Sequence, residues 1–222
     1  MSSEIIIESV FQETGKHFGY REVTVEIADF KDFKVQWKRS YDWIAFRISD
    51  YIEDAPEEVI EDLAKTLFSK IAGKDCGYGK EMTAFVKDLG FVRKNRPKYL
   101  KRSKKIDQNR VGIHKNLYES YERLIEQNLI ENLNDDIYLT WINDRDCCKS
   151  TSALLKVAAI STELDSDDVP DEVLDVMMYE TICNIRAGQR DFGKKGEVKN
   201  DWNNHPMMRM AVGWCQDNGM TL

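Results

Sequence analysis

Two polar side chains that could do chemistry lie one helical turn apart in the C-terminal part of the chain. Glu180 and Asn184 are spaced i, i+4, so they share one face of a helix. Carboxylate and amide oxygens are ligands for hard cations such as magnesium, manganese or calcium. Their neighbours on that face are apolar (Val173, Val176 and Met177), and a carboxylate buried without a partner is costly or stays protonated. The sequence therefore predicts a specific set of partners around Glu180.

The element that must position this pair is a helix that begins near Pro170. Proline suits the first turn of a helix, and Asp171 and Glu172 complement the positive end of the helix dipole. No glycine or proline follows until Gly188. Apolar residues fall on nearly every side, which predicts a helix buried inside a domain. They are Val173, Leu174, Val176, Met177, Met178, Ile182 and Ile185.

This helix resembles the active-site helix of the zincin metallopeptidases, in particular the SprT-like and YgjP-like branch, which reads roughly V-L-x-x-V-L-Y-H-E-L-C-H-I. The framework letters are matched by Val173-Leu174, Tyr179, Cys183 and Ile185. On this match, Glu180 takes the place of the first ligand His, Thr181 that of the catalytic Glu, and Asn184 that of the second His. The segment 202–209 resembles the one in which these families supply a third ligand, and there His205 remains. The likeness spans residues 111–215.

The resemblance implies a former zinc site in which the residues at the two histidine positions and at the catalytic glutamate position have been replaced. In a zincin, two His and a third ligand hold zinc while the intervening Glu takes a proton from the bound water. Thr181 cannot act as that base, because an aliphatic hydroxyl does not ionise near neutral pH. Asn184 is a poor zinc ligand beside imidazole, although Glu180, Asn184 and His205 together could hold a harder divalent cation. The alternative is that these three side chains satisfy one another by hydrogen bonds, with no metal or other cofactor.

Three functional hypotheses follow from these residues. The leading one is a catalytically inactive metallopeptidase-like protein with a binding, regulatory or structural role and an unknown protein partner. The second is a divergent metal-dependent hydrolase or peptidase that uses Glu180, Asn184 and His205 with a base from elsewhere. The third is association with nucleic acid, which is known for SprT-like proteins, through a basic segment.

That basic segment, 93–105, contains eight basic residues in thirteen. Such a run could grip a phosphate backbone while an aromatic ring stacks on a base. The alternative is a solvated linker that packs its aliphatic stems against an acidic body. The candidate nucleic-acid-binding residues are Arg93, Lys94, Arg96, Lys98, Tyr99, Lys101, Arg102, Lys104 and Lys105.

Composition narrows the class of protein. The 222 residues are 42% hydrophobic, enough for a packed core, and carry a formal net charge of -7, which does not favour a bulk nucleic-acid binder. Five cysteines without C-x-x-C spacing predict free thiols. With no long apolar run and no basic leader, we expect a cytoplasmic protein without a membrane partner.

The order of elements predicts an α+β fold. Residues 4–14 fit a helix or a strand equally well. Alternating patterns predict strands at 23–27, 33–37 and 43–48, followed by an amphipathic helix over 54–71. A second series predicts a helix at 117–130, strands at 137–142 and 154–161, and the central helix. We therefore expect a strand-rich N-terminal region at 1–92 ending in a helix, a basic linker at 93–110, and a zincin-like domain at 111–222.

The two series also indicate an internal duplication. Pro56 and Pro170 open helices whose patterns match, and Arg47-Ile48-Ser49 corresponds to Ala159-Ile160-Ser161. On the same alignment, Trp37 corresponds to Trp141. Shared patterning constraints could produce the same likeness by chance.

Overall fold

In the computed structural model, the described residues are 3–132, 136–144, 147–192 and 204–220. Helices and strands both contribute, so the predicted α+β class is confirmed. The chain forms two compact units divided between Asn95 and Arg96, and Asp191 and Phe192 group with the first. No helix within the described ranges combines the length and hydrophobicity needed to cross a bilayer.

The first unit packs helices against a three-stranded sheet. The aromatic rings of Phe11, Phe46 and Phe68 meet in its core, with edge-to-face contacts of Phe46 to the other two at 5.1 and 5.3 Å. The three predicted strands and the amphipathic helix are confirmed, and the N-terminal segment is a helix. The elements are α1 (Ser3–His17), β1 (Glu22–Ala28), β2 (Val35–Arg39), β3 (Trp43–Ser49), a 3-10 turn (Asp50–Ile52), α2 (Glu57–Ile71), α3 (Lys80–Lys87) and the start of α4 (Leu89–Arg102).

Within the described residues, the second unit contains the end of α4, one long helix, a second three-stranded sheet and two shorter helices. The predicted helix at 117–130, the two predicted strands and the central helix are all present. A further strand, Lys149–Ser152, was not predicted. The elements are α5 (Leu117–Glu126), β4 (Tyr138–Ile142), β5 (Lys149–Ser152), β6 (Val157–Ser161), a 3-10 turn (Thr162–Leu164), α6 (Asp171–Asp191) and α7 (Met208–Asp217).

The two units share one topology. Each has a helix, three strands, a 3-10 turn and a second helix in the same order. The strand orders are β1-β3-β2 and β4-β6-β5, and in each sheet the first strand is parallel to the third and the second is antiparallel to it. This repetition supports the duplication hypothesis more strongly than the sequence pattern alone.

The topology tests the residue correspondences individually. Ser49 and Ser161 each end the third strand and precede the 3-10 turn, with φ/ψ of -59°/137° and -63°/137°. Their correspondence agrees with the fold. The match of Trp37 to Trp141 is wrong, because Trp37 lies in the second strand of its unit and Trp141 in the first strand of the other.

The predicted basic linker, 93–110, starts inside helix α4, which runs from Leu89 to Arg102 and contains Pro97. Tyr99 is only 3% exposed, so its ring cannot stack on a base, and that part of the nucleic-acid prediction is wrong. The physical reason is that a helix gives even a highly charged segment an inward face. Phe91, Asn95 and Tyr99, spaced i, i+4, i+8, are buried on that face.

Candidate functional site around the buried helix α6

Helix α6 lies at the centre of the second unit's core. Every residue from Val173 to Ile182 is buried, so helices and strands cover it on all sides, as the sequence predicted. A polar side chain on this stretch therefore needs a hydrogen-bond or ion-pair partner inside the core, because a buried polar group without a partner is costly. Asp175, Glu180 and Thr181 are the buried polar side chains of the helix.

Glu180 is paired with Lys149, the first residue of β5. The Lys149 Nζ and Glu180 Oε2 atoms are 2.5 Å apart, and the side chains are only 15% and 7% exposed. The two charged groups form an ion pair, but the angle at which Lys149 Nζ meets Glu180 Oε2 does not satisfy hydrogen-bond geometry. Lys149 Nζ also lies 3.9 Å from the Met177 sulfur, one turn earlier on the same helix. An ammonium thus neutralises the carboxylate that the sequence left unexplained.

Thr181, at the general-base position of the resemblance, is tied to its own helix. Its hydroxyl donates to the Met177 carbonyl oxygen at 2.7 Å, and the side chain is fully buried. A threonine hydroxyl that bonds back to the i−4 carbonyl is a common intrahelical arrangement. Thr181 is therefore a structural residue.

His205, the position of the third ligand, is 5% exposed and packs edge-to-face on Tyr179, with ring centroids 5.2 Å apart. Its Nδ1 atom accepts a hydrogen bond from the Met207 backbone N–H at 3.1 Å. Burial lowers the pKa of His205, and the charge of Asp175 opposes this shift. The ring is thus neutral with its proton on Nε2, and Nε2 is buried without a hydrogen-bond partner among the described residues.

Glu180 and His205 therefore have different partners. No hydrogen bond or ion pair joins them in the described part of the chain, so the expected mutual satisfaction is replaced by the Lys149 pair. Asn184 is half-buried and has polar contacts of its own. Within the described ranges, no group of three or more His, Cys, Asp and Glu side chains is arranged to hold a metal ion. Of the third-ligand segment, Trp202 and Asn203 lie outside the described residues.

Two buried thiols lie near this ion pair. Cys148 precedes Lys149 in sequence, and its thiol lies near that of Cys215 on α7. Burial raises the pKa of Cys215 to about 11 and also raises that of Cys148. Both groups are therefore protonated at neutral pH and are poor nucleophiles.

A second buried charge pair fixes α5 against α6. Arg123 donates to Asp175 from Nε at 2.9 Å and from Nη2 at 2.7 Å, and the Ser120 hydroxyl donates to Asp175 at 2.6 Å. The bond to Asp175 raises the pKa of Arg123. Asp175 is satisfied by these three donors and acts on His205 only through its charge.

No family model, curated protein or solved structure matches this chain. The metallopeptidase resemblance therefore rests on the residues of α6 and on His205.

Several basic side chains of the segment 93–105 are engaged in contacts within the protein. Lys94 pairs with Asp54, Lys105 pairs with Asp144 at 2.7 Å, and Arg96 donates to two backbone carbonyls. Arg93, Lys101 and Lys104 are exposed. Nucleic-acid binding through the remaining cations stays a prediction.

The sequence did not reveal Lys149 as a functional candidate. Its strand reads Lys-Ser-Thr-Ser, which lacks the alternation of apolar and polar residues that predicts a strand. The adjacent Cys147-Cys148 pair was the only nearby feature that suggested a functional site. Two adjacent cysteines fit a reactive site and a buried structural role equally well.

Proposed function

We propose that this protein is a metallopeptidase-like scaffold without hydrolytic activity, and that it serves as a binding or regulatory protein. The observation that carries the proposal is the ion pair between Lys149 and Glu180 at 2.5 Å. In the resemblance, Glu180 stands where a zinc ligand would lie. The positive charge that such a ligand would receive from a metal comes here from a side chain of the protein.

The donor set does not fit a metal ion. A cation bound to Glu180 would have to displace the ammonium of Lys149 or lie beside it against charge repulsion. His205 would need a lone pair on Nε2, but its Nδ1 already accepts a backbone hydrogen bond, so Nε2 carries the proton. Metal-ligating histidines ordinarily donate from the second ring nitrogen, which is the opposite arrangement.

The position of the base supports the same proposal. General-base catalysis needs a group that accepts a proton near neutral pH within reach of the water. The Thr181 hydroxyl is engaged with the Met177 carbonyl oxygen inside the helix. These residues therefore provide neither a site for the zinc ion of a zincin nor a replacement for its catalytic glutamate.

A hydrolysis assay on the purified protein tests this proposal. Labelled casein is incubated with the protein, with zinc, manganese or magnesium added in turn, alongside Glu180→Ala and Glu172→Ala. Glu172 is the control because it is an exposed acid on the same helix. We expect no hydrolysis above background in any sample. Metal-dependent hydrolysis that Glu180→Ala abolishes and Glu172→Ala retains would overturn the proposal and favour the divergent hydrolase.

A further inference from the structure

Strand β2 lies at one edge of the sheet in the first unit. It pairs with β3 on one side, and among the described residues no strand pairs with its other side. The Lys34 carbonyl oxygen accepts from the Ser49 N–H, and the Ser40 N–H donates to β3, so the backbone groups of the even-numbered residues point toward β3. The backbone groups of the odd-numbered residues therefore point away from the sheet. These residues are Val35, Trp37 and Arg39.

The outward backbone groups of β2 have no hydrogen-bond partner in the described part of the chain. Such a row of unpaired N–H and carbonyl groups is a template for pairing with a further strand. The Trp37 side chain is 46% exposed, whereas Phe46, its neighbour on the same face of β3, is only 1% exposed. A strand added at this edge would therefore gain backbone hydrogen bonds and cover an exposed aromatic ring.

The charge of β2 determines which kind of strand fits this edge. Lys34 and Lys38 are exposed on the face opposite Trp37, and neither lysine forms an ion pair with a described residue. Lysines on an edge strand oppose pairing with uncharged or basic strands. A second copy of β2 would bring the same lysines together, and like charges on paired strands repel each other. An acidic strand would instead be attracted by both lysines.

We propose that the outer edge of β2 binds an extended acidic segment of a partner protein, which adds a further strand to the sheet. Side chains alternate between the two faces of a strand, so apolar residues of the segment would lie beside Val35 and Trp37, and its acidic residues beside Lys34 and Lys38. This interaction goes beyond the proposed function and does not depend on it, because all its residues lie in the first unit.

Amide hydrogen exchange measured by NMR tests strand addition directly. The probe is a short peptide with blocked termini that alternates glutamate and valine, and the control peptide has the same composition with its glutamates grouped together. We expect the probe to slow exchange at Val35, Trp37 and Arg39 roughly fivefold or more. Thr151 is the internal reference, because its N–H points away from the sheet at the edge of β5, where no lysine is exposed. Equal slowing at Thr151 would overturn the inference.

Two pairs of variants separate the contributions of charge and backbone. Lys38→Glu should weaken peptide binding roughly tenfold, whereas Lys16→Glu makes the same change in net charge on α1 and should weaken it less than about twofold. Trp37→Pro removes an outward N–H that Trp37→Ala retains, so the proline variant should bind more weakly than the alanine variant. Thermal melting verifies that each variant folds, and the lysine pair decides the test if Trp37→Pro unfolds.

The same titrations contain the results that contradict the proposal. Absence of peptide binding, equal binding of the control peptide, or equal weakening by Lys38→Glu and Lys16→Glu would each overturn it. A single-stranded oligothymidylate is titrated alongside the peptides. Binding of the oligonucleotide without binding of the alternating peptide would also overturn the proposal, and would assign the basic edge to nucleic acid.

Discussion

Removing the ammonium of Lys149 should destabilise the second unit strongly. The substitution Lys149→Met retains most of the unbranched apolar stem of the side chain, removes the ammonium and its contact with the Met177 sulfur, and leaves the Glu180 carboxylate buried without its counter-charge. Because the carboxylate is only 7% exposed, water cannot replace the lost partner without opening the core.

The magnitude follows from the geometry of the pair. At 2.5 Å and an effective dielectric constant of about 20, the Coulomb attraction is about 7 kcal/mol. Much of that attraction offsets the desolvation of both groups, and removing one partner of a buried pair typically costs roughly 3–5 kcal/mol. With an m-value of about 2 kcal/mol per molar urea, the midpoint of unfolding should fall by about 2 M.

Urea unfolding followed by circular dichroism measures this loss. The double variant Lys149→Met with Glu180→Gln should recover most of the stability, because it removes the buried charge together with its partner. The control is Lys65→Met, which breaks an exposed pair with Glu61 of the same chemistry and should cost less than about 1 kcal/mol. A loss in Lys149→Met as small as that of the control, or no recovery in the double variant, would refute the reasoning.

Three further predictions concern neighbouring groups. Burial lowers the pKa of His205 below 6.5, so the unfolded chain binds a proton more readily. The free energy of unfolding should therefore fall as the pH drops below about 6.5, and His205→Phe should reduce the slope of this free energy against pH between pH 7.5 and 5.5. Equal slopes in the wild type and the variant would contradict the burial argument. Iodoacetamide at pH 8 should label the exposed Cys147 and spare Cys215, because the Cys215 thiol is fully buried and has a pKa of about 11. Peptide mapping measures the labelling of each cysteine, and equal labelling of the two would contradict this prediction. Asp175→Asn should lower the free energy of unfolding by roughly 2–3 kcal/mol in urea titrations, since Arg123 loses a charged, bidentate acceptor; a change below about 0.5 kcal/mol would show that this pair is dispensable.

The buried central helix could be read directly from the sequence. Pro170 and the two acids after it mark its start, and apolar residues on every side require that other elements cover it. The same reasoning located Glu180 in the core and predicted that it needs a partner. Local sequence carries this information because helix position and burial depend on nearby residues.

The identity of that partner could not be predicted in the same way. β5 is a strand because its backbone pairs with β6, and its own residues carry no apolar alternation. Lys149 reaches Glu180 only through this pairing between distant segments. The resemblance directed attention to His205 instead, which packs on Tyr179 and bonds to Met207.

The burial of Tyr99 was missed although a signal was present. The charges of the segment 93–105 dominate its composition, but Phe91, Asn95 and Tyr99 recur with helical spacing. Periodicity outweighs charge density here, because lysine and arginine keep their charged ends in water while the opposite face is buried.

Zinc binding by the wild-type protein is the most direct test of the central claim, that a buried ion pair has replaced the metal site of a peptidase-like scaffold. After equilibrium dialysis against micromolar zinc, elemental analysis should find less than about 0.1 equivalent of zinc per chain beyond that in Glu180→Ala. About one equivalent of zinc in the wild type, lost in Glu180→Ala and kept in Glu172→Ala, would contradict the account.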